Sequence, residues 1–155
     1  MNDPTINKVI PNFKSSATSN QLFELSDHKG KRILLYFYPK DNTPGCTTES
    51  IEFKELADQF SEQNTLIFGV SRDSVASHEK FKEKYQFPFE LISDENEEIC
   101  KIFDVIKEKN MYGKKYMGIE RSTFLIDESG QLIAEWRKVK AKGHAHIILD
   151  YLSDL

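Results

Sequence analysis

The chain has 155 residues, close to the commonest size of one domain, and we expect a single domain over residues 1–155 around one hydrophobic core. Its 11 Phe, 6 Tyr and 1 Trp supply large buried areas and argue against disorder. With 21 basic and 25 acidic residues the net charge is -4, so no overall positive field attracts nucleic acid, which we exclude as a main partner.

Location and cysteine content narrow the class of protein further. The longest apolar run, Ile33 to Tyr38, is far shorter than the roughly 20 residues of a membrane-spanning helix, so no membrane segment is expected. The first residues lack the pattern of a secretory signal, and the expected location is cytoplasmic. Cys46 and Cys100 are too few for a disulfide framework or a four-thiolate metal site. Any lasting role of either thiol is therefore expected to be redox or catalytic.

The first half of the chain predicts alternating strands and helices, after a small hairpin near Leu22 to Leu25. Ile33 to Tyr38 has no polar alternation, which indicates a strand covered on both faces. Cys46 to Phe60 has apolar residues three and four apart, as in a helix, and Leu66 to Val70 predicts a second buried strand. The favoured right-handed crossover makes these two strands parallel.

The pattern repeats once beyond Ser74. Val75 to Gln86 predicts a helix and Phe89 to Ile92 a short strand. Ser93 is predicted to cap a helix that runs to about Val105. Lys107 to Gly118 is polar and interrupted by glycine, which predicts an irregular excursion on the surface.

The last third predicts a hairpin and a closing helix. Thr123 to Ile126 and Leu132 to Trp136 flank a turn that suits an antiparallel hairpin, and Ile147 to Leu152 predicts a helix. The complete order fits a thioredoxin-like α/β fold, with a central mixed sheet flanked by helices and an N-terminal extension. A fold hosts many functions, so the chemistry has to be argued from the site.

Cys46 lies where the first central strand leads into a helix. The start of a helix presents unpaired N–H groups and the positive end of its dipole, which favour an anion such as a thiolate. Thr43 adds a hydroxyl, and Pro39 and Pro44 stiffen the loop. The alternative is a buried cysteine that acts as a small hydrophobic residue, which is the commoner role of an isolated cysteine. The position of Cys46 favours a nucleophile.

The segment from Tyr36 to Glu49 resembles the active-site signature of the peroxiredoxins, in which Pro, three residues, Thr, two residues and Cys recur. Pro39, Thr43 and Cys46 occupy those positions. The similarity is greater to the bacterioferritin comigratory protein, or Q-type, subfamily, and it extends to the segment from Gly118 to Asp127. The resemblance covers nearly the whole chain.

The resemblance implies a thiol peroxidase that reduces hydrogen peroxide and organic hydroperoxides and becomes a sulfenic acid at Cys46. Thioredoxin, glutaredoxin or a small thiol would supply the electrons. No cofactor and no metal are expected, and Q-type relatives are often monomers, so we expect a monomer.

The resemblance also assigns roles around Cys46. Arg121 would stabilise the thiolate and the charge that develops on the peroxide, a task that suits a permanently charged fork of donors. Thr43 would donate to the peroxide, Pro39 would shield the pocket, and Glu49 would orient Arg121 or Thr43. Taken alone, Arg121 would be read as a solvated charge, and Glu49 as a carboxylate that complements the helix dipole.

One departure from the subfamily concerns the second cysteine. Many Q-type relatives carry a resolving cysteine five residues after the first, and here that position is Ile51. Cys100, in a later predicted helix, is then either a packed structural thiol or the resolving cysteine. The second role needs its Cα within about 7 Å of that of Cys46, which demands unfolding of the first helix or another chain. A one-cysteine cycle with an external thiol is the simpler expectation.

Other sites have weaker signals. No Cys-x-x-Cys occurs, which excludes a dithiol oxidoreductase of thioredoxin type. The spacing of the four histidines predicts no chelating pair, and solvated or capping roles are expected for all of them: His28, His78, His144 and His146. A local basic run is interpreted as a solvated rim or a docking patch for an acidic reductant: Arg137, Lys138, Lys140 and Lys142.

Two further functions stay open at this point. A redox sensor would use the same oxidation of Cys46 and pass it to a partner protein, which the missing thiol at Ile51 favours. A non-catalytic binding or chaperone role would not depend on Cys46.

Overall fold

The computed structural model describes residues 6–155, which contain nine strands and five α-helices. The strands are β1 (Lys14–Ala17), β2 (Gln21–Glu24), β3 (Arg32–Phe37), β4 (Thr65–Ser71), β5 (Glu90–Ser93), β6 (Ile106–Met111), β7 (Lys114–Ile119), β8 (Ser122–Ile126) and β9 (Leu132–Trp136). The helices are α1 (Pro44–Glu55), α2 (Ala57–Glu62), α3 (Val75–Tyr85), α4 (Glu98–Phe103) and α5 (His144–Ser153). A 3₁₀ turn follows β2 at Leu25–His28.

Seven strands form one mixed sheet in the order β2, β1, β5, β4, β3, β8, β9. The three inner strands β3, β4 and β5 are parallel, as the crossover rule predicts. β8 pairs antiparallel with β3 and then with β9, which confirms the predicted hairpin. The remaining pair, β6 and β7, forms a separate two-stranded sheet.

Alternate side chains of β3 enter two different clusters, because successive residues of a strand face opposite sides of the sheet. Leu35 and Phe37 face a cluster that contains α4, the N-terminal segment and the end of β7. Leu34 and Tyr36 face a second cluster, built with α1, α2, α3 and α5. The sheet therefore separates two apolar layers, and each layer contains one of the two cysteines.

The helix predicted over Cys46 to Phe60 starts earlier and is broken. α1 begins at Pro44, because a proline fits the first helical position, where its missing N–H leaves no bond unmade. Leu56 leaves the helical region with φ -101° and ψ 4°, and α2 follows as a short second helix.

Among residues 6–155, no helix combines the length and the apolar character that crossing a bilayer requires.

The helix predicted from Ser93 to about Val105 is shorter than expected. It starts at Glu98, and its first turn is held by Asp94 rather than by Ser93. The Asp94 carboxylate accepts the backbone N–H groups of Ile99 at 3.0 Å and Cys100 at 2.7 Å. A side chain one residue further along the loop therefore takes the capping role.

Two hairpins differ from the sequence expectations. The excursion expected over Lys107 to Gly118 is the regular hairpin of β6 and β7, closed at Tyr112 and Gly113, which both have positive φ. The N-terminal hairpin expected near Leu22 to Leu25 lies earlier, because β1 and β2 pair from Lys14 with Glu24 to Ala17 with Gln21.

Candidate active site

Cys46 is the third residue of α1 and lies almost completely buried, with 1% of its surface exposed. Thr43 precedes the helix in extended conformation, and no side chain caps the helix N-terminus. The first helical bond runs from the N–H of Thr47 to the carbonyl of Thr43. The unpaired N–H groups of this first turn and the positive end of the helix dipole lie beside the sulfur.

Arg121 contacts both the Cys46 sulfur and the Glu49 carboxylate. It lies between β7 and β8, and its Nη2 donates to the Cys46 Sγ at 3.4 Å. Its Nη1 donates to Glu49 Oε1 at 2.7 Å, so one guanidinium connects the thiol and the carboxylate. A Cβ at Gly45 would lie 3.1 Å from Arg121 Nη2, so the absent side chain at Gly45 makes room for this approach.

Glu49 is a fully buried carboxyl group one helical turn after Cys46. Burial raises its pKa to about 7, and the ion pair with Arg121 lowers it only in part. Among the described residues, its Oε2 has no hydrogen-bond partner. Glu49 therefore fixes Arg121 from one side while retaining one unpaired oxygen in an apolar environment.

Thr43 and Pro39 lie on the loop before α1 and are both half-buried. The Thr43 hydroxyl donates to the carbonyl of Lys40 at 2.8 Å, so its hydrogen is occupied within the loop, contrary to the expectation that Thr43 donates to the peroxide. Within residues 6–155, no hydrogen bond joins Thr43 to Cys46. The lone pairs of the Thr43 oxygen remain available as acceptors.

His144 is a second group near Arg121, and the sequence analysis did not assign it to the site. Its Nε2 is hydrogen-bonded to the Thr123 hydroxyl at 2.7 Å, and its ring meets Phe53 edge to face. Burial, and then the charge of Arg121, lower the pKa of His144 to about 4, so its imidazole is neutral near neutral pH. The place of His144 beside the site becomes apparent only from its contact with Thr123 on β8 in the folded chain.

Cys100 lies in α4, fully buried, in the cluster on the opposite side of the sheet from Cys46. Both cysteines are free thiols. Burial raises the pKa of the Cys100 thiol well above its usual value, and the nearby Asp94 carboxylate raises it further. This environment disfavours a thiolate at Cys100.

The expectation of solvated or capping histidines is wrong for two of the four. His78 is fully buried and His144 is 2% exposed, because each found a hydrogen-bonding partner from another element. His28 is half-buried and stacks on Phe23, and His146 is exposed. His78 also belongs to a cluster with Asp41 and Asp73, whose ligand atoms all lie within 4.8 Å of one another.

The basic run does not form one continuous patch. Arg137 donates to the Glu135 carboxylate and to the carbonyls of Asp104 and Phe103, both at 2.8 Å, so it holds the end of α4. The three lysines of the run are exposed: Lys138, Lys140 and Lys142. The solvated interpretation therefore applies to the lysines and is wrong for Arg137.

Comparisons with known proteins identify the family of the chain. Residues 6–135 match the model of the AhpC/TSA family. The chain is 50% identical over 150 residues to "Peroxiredoxin Bcp" of Bacillus subtilis, covering 97% of this chain and 96% of that protein. It is 55% identical over 125 residues to "Peroxiredoxin Bcp" of Xanthomonas campestris, covering 81% of this chain and 78% of that protein.

Solved structures show the same fold. A cysteine variant of PrxQ from Xylella fastidiosa superposes with a TM-score of 0.94 at 44% identity, covering 99% of this chain and 98% of that chain. Peroxiredoxin Q of Xanthomonas campestris gives a TM-score of 0.87 at 50% identity, covering 92% and 90%. These structures confirm the predicted thioredoxin-like α/β fold. The chain belongs to the AhpC/TSA family, as a peroxiredoxin of the Bcp or Q type, and is a thiol peroxidase.

Proposed function

We propose that Cys46 is the cysteine that attacks the peroxide, and that hydrogen peroxide and organic hydroperoxides are both substrates. The observation that carries this proposal is the bond from Arg121 Nη2 to the Cys46 sulfur, 3.4 Å long, at the start of α1. A fixed cation and a helix N-terminus both stabilise a thiolate. Organic substrates gain support from the alkyl peroxide reduction activity described for the bacterioferritin comigratory protein of Xanthomonas campestris.

The reaction proceeds in two stages, oxidation of Cys46 by the peroxide and its reduction by thiols. The Cys46 thiolate attacks the terminal peroxide oxygen, the S–O bond forms and the O–O bond breaks, and the leaving oxygen takes a proton to become water or an alcohol. The sulfur loses two electrons and becomes a sulfenic acid. An external thiol then displaces water from this sulfur, and a second thiol releases Cys46 as a thiolate with formation of a disulfide.

The neighbouring residues divide the remaining tasks. Arg121 donates to the negative charge that develops on the peroxide oxygens, and such electrostatic stabilisation is usually the largest single contribution to catalysis. Glu49 holds Arg121 in place through the 2.7 Å ion pair. The Thr43 oxygen accepts the O–H of the peroxide, since its own hydrogen is directed to Lys40. Pro39 limits access of water to the pocket.

A one-cysteine cycle follows from the environment of the second thiol. Cys100 lies in the other apolar cluster, and the position five residues after Cys46 is Ile51. A disulfide requires Cα atoms within about 7 Å, which an intervening strand layer prevents without unfolding. Thioredoxin, glutaredoxin or a small thiol is the reductant, and the protein acts as a cytoplasmic monomer with one domain over residues 1–155.

Intact-protein mass after one equivalent of hydrogen peroxide, with a sulfenic-acid trap, tests this cycle. Wild type and Cys100→Ser are both expected to gain the trapped adduct, and Cys46→Ser is expected to gain none. Loss of two hydrogens in wild type, with trapping only in Cys100→Ser, would assign Cys100 as the resolving cysteine. An adduct in Cys46→Ser would overturn the assignment of the nucleophile.

A second function, a redox sensor, is favoured by the same separation of the two thiols. A sulfenic acid without a nearby thiol persists until an outside thiol arrives, and a client protein can then intercept it. A stable mixed disulfide with a client at micromolar peroxide supports the sensor. Fast turnover with thioredoxin and no such adduct supports the peroxidase alone.

A further inference from the structure

Asp41 and His78 form a buried hydrogen-bonded pair that joins α3 to the loop leading to Cys46. His78 is fully buried on α3, and Asp41 is 7% exposed on the loop between β3 and α1. Their closest atoms, His78 Nδ1 and Asp41 Oδ2, are 2.7 Å apart. The reaction described above uses neither residue, and burying polar groups is costly unless their hydrogen bonds are complete.

The hydrogen bonds around His78 determine where its protons lie. Nε2 lies 3.0 Å from the carbonyl of Ile92, which only accepts, so Nε2 carries a hydrogen. Nδ1 faces the Asp41 carboxyl group, which already accepts from the Tyr38 hydroxyl at 2.6 Å and the Ser77 hydroxyl at 2.8 Å. Nδ1 shares a hydrogen with Asp41 Oδ2 at 2.7 Å, so both ring nitrogens of His78 are bonded.

A second carboxylate lies beside this pair. Asp73, at the turn after β4, contributes an oxygen within 4.8 Å of the ligand atoms of Asp41 and His78. The three residues form one polar cluster, to which Tyr38 and Ser77 add the hydroxyls that donate to Asp41.

The same three residues could be taken for a metal site, but most of their oxygens are already engaged. Asp73 Oδ2 accepts the backbone N–H of Asp41 at 2.8 Å and the Ser71 hydroxyl at 2.6 Å. Both Asp41 oxygens are hydrogen-bonded to hydroxyls or to the His78 ring. A cation would have to displace several of these partners.

Helix α3 holds the loop at a second point as well. Asn42, next to Asp41, has φ of 60°, a conformation that asparagine tolerates better than most residues. Its Oδ1 accepts from Lys84 Nζ and the Tyr85 hydroxyl, both at 3.3 Å. Thr43 follows and is the N-cap residue of α1. Two consecutive loop residues are thus bonded to one helix immediately before the helix that carries the nucleophile.

We propose that His78 is a positioning residue: through its hydrogen bonds to Asp41 and to the carbonyl of Ile92, it fixes Asp41 and the loop from Pro39 to Thr43, and thereby the position of Cys46 against Arg121. The inference rests on the proposed role of Cys46. Because the Sγ to Nη2 contact depends on where α1 begins, a displacement of the loop by about 1 Å is enough to lower the reaction rate strongly.

Side-chain ¹⁵N NMR of the unmutated protein at neutral pH tests the hydrogen bonds of His78 directly. The expected result is a hydrogen on Nε2 that is protected from exchange with water, in contrast to the ring hydrogens of the exposed His146. An Nε2 without a hydrogen, or one that exchanges as fast as His146, would overturn the proposal. This measurement does not depend on peroxidase activity, so it stands even where the assignment of Cys46 as nucleophile fails.

Kinetics of the variants test the positioning. His78→Gln removes the bond between the ring and Asp41, and Asp41→Asn removes one of the oxygens that accept in the cluster. Each is expected to slow the oxidation of Cys46 by about 10- to 100-fold and to shift its pH profile, because the sulfur no longer lies against Arg121. The double variant is expected to lose no more than either single variant, because the two residues act as one pair. The matched control His146→Gln, on exposed α5, retains the wild-type rate and profile.

Two outcomes would contradict the positioning role. Folded His78→Gln with a wild-type rate and pH profile would make the pair structural only. Losses that multiply in the double variant would show that the two residues act independently. A variant that fails to fold leaves the decision to the NMR measurement on the wild-type protein.

Discussion

The two cysteines have similar backbone positions but opposite electrostatic environments. Each is the third residue of a helix, and each is buried, with 1% exposed for Cys46 and none for Cys100. Beside Cys46 the helix N-terminus has no capping side chain, and Arg121 donates to the sulfur. Beside Cys100 the Asp94 carboxylate already accepts two N–H groups of the first turn. Burial and helix position do not distinguish the two thiols, so on the proposed role of Cys46 it is the sign of the neighbouring charge that selects the nucleophile.

The largest expected difference is in turnover. Cys46→Ser is expected to abolish peroxide consumption, because a hydroxyl is not a nucleophile of comparable strength at neutral pH. Cys100→Ser is expected to keep the wild-type rate with an external thiol. Steady-state peroxide consumption measures both, and a large loss in Cys100→Ser would show that the two sides of the sheet cooperate.

The next effect concerns the cation on the Cys46 side. Arg121→Ala removes the donor to both the thiolate and the developing oxyanion, and the second-order rate with peroxide is expected to fall by about 10²–10³-fold. Arg72→Ala is a matched control, because Arg72 pairs with Glu97 at the surface on the Cys100 side. Stopped-flow oxidation of the folded variants gives both rates. Equal losses would mean that the net charge of the protein, rather than the contact of Arg121 with Cys46, sets the rate.

On the Cys100 side the expected effect is on stability rather than on rate. Asp94→Asn leaves only one oxygen for two N–H groups, and the free energy of unfolding is expected to fall by about 1 kcal/mol. The peroxidase rate is expected to stay unchanged. Urea unfolding measures the stability, with Asp150→Asn on the exposed face of α5 as control. A slower peroxidase would contradict the separation of the two sides.

The smallest net effect in the wild type comes from two groups beside Arg121 whose pKa values are shifted in opposite directions. The pKa of Glu49 is about 7 in the folded protein against 4.5 ordinarily, so the folded state holds an extra proton and stability falls as pH rises from 4.5 to about 7. The pKa of His144 is about 4 against 6.5, so the unfolded state holds the extra proton and stability rises from pH 4 to 6.5. The two slopes partly cancel in the wild type.

Removing either group is expected to expose the slope of the other. Glu49→Gln is expected to gain stability as pH rises from 4 to 6.5, and His144→Gln is expected to lose stability as pH rises from 4.5 to 7. Urea unfolding across this range gives both slopes. Slopes of the same sign in the two variants would contradict the assigned environments.

Local patterns predicted the central sheet because its strands have a strong apolar signal. Ile33 to Tyr38 is apolar throughout, and β3 covers Arg32–Phe37. The hairpin of β6 and β7 was missed because it lies outside the main sheet and all six residues from Lys107 to Tyr112 are polar or exposed. No alternation of buried and exposed residues marks such a strand. Its pairing becomes visible only in the folded chain.

The candidate site was also predictable from the sequence only in part. The spacing of Pro39, Thr43 and Cys46 identified the loop, and similarity of the later motif pointed to Arg121. The buried histidines could not be predicted, because their burial depends on partners distant in sequence. His78 meets Asp41 across 37 positions, and His144 meets Thr123 across 21. Polar residues are buried where a partner exists, and one sequence does not show the partner.

The sheet that separates the two thiols also sets how long the oxidised state lasts. A resolving thiol tethered on the same face would act at a fixed effective concentration in the range of about 1 mM or more, whatever the surroundings contain. On the proposed one-cysteine cycle, the lifetime of the Cys46 sulfenic acid instead varies inversely with the concentration of free thiol outside. The oxidised fraction of the protein then measures the ratio of peroxide to thiol supply in its compartment.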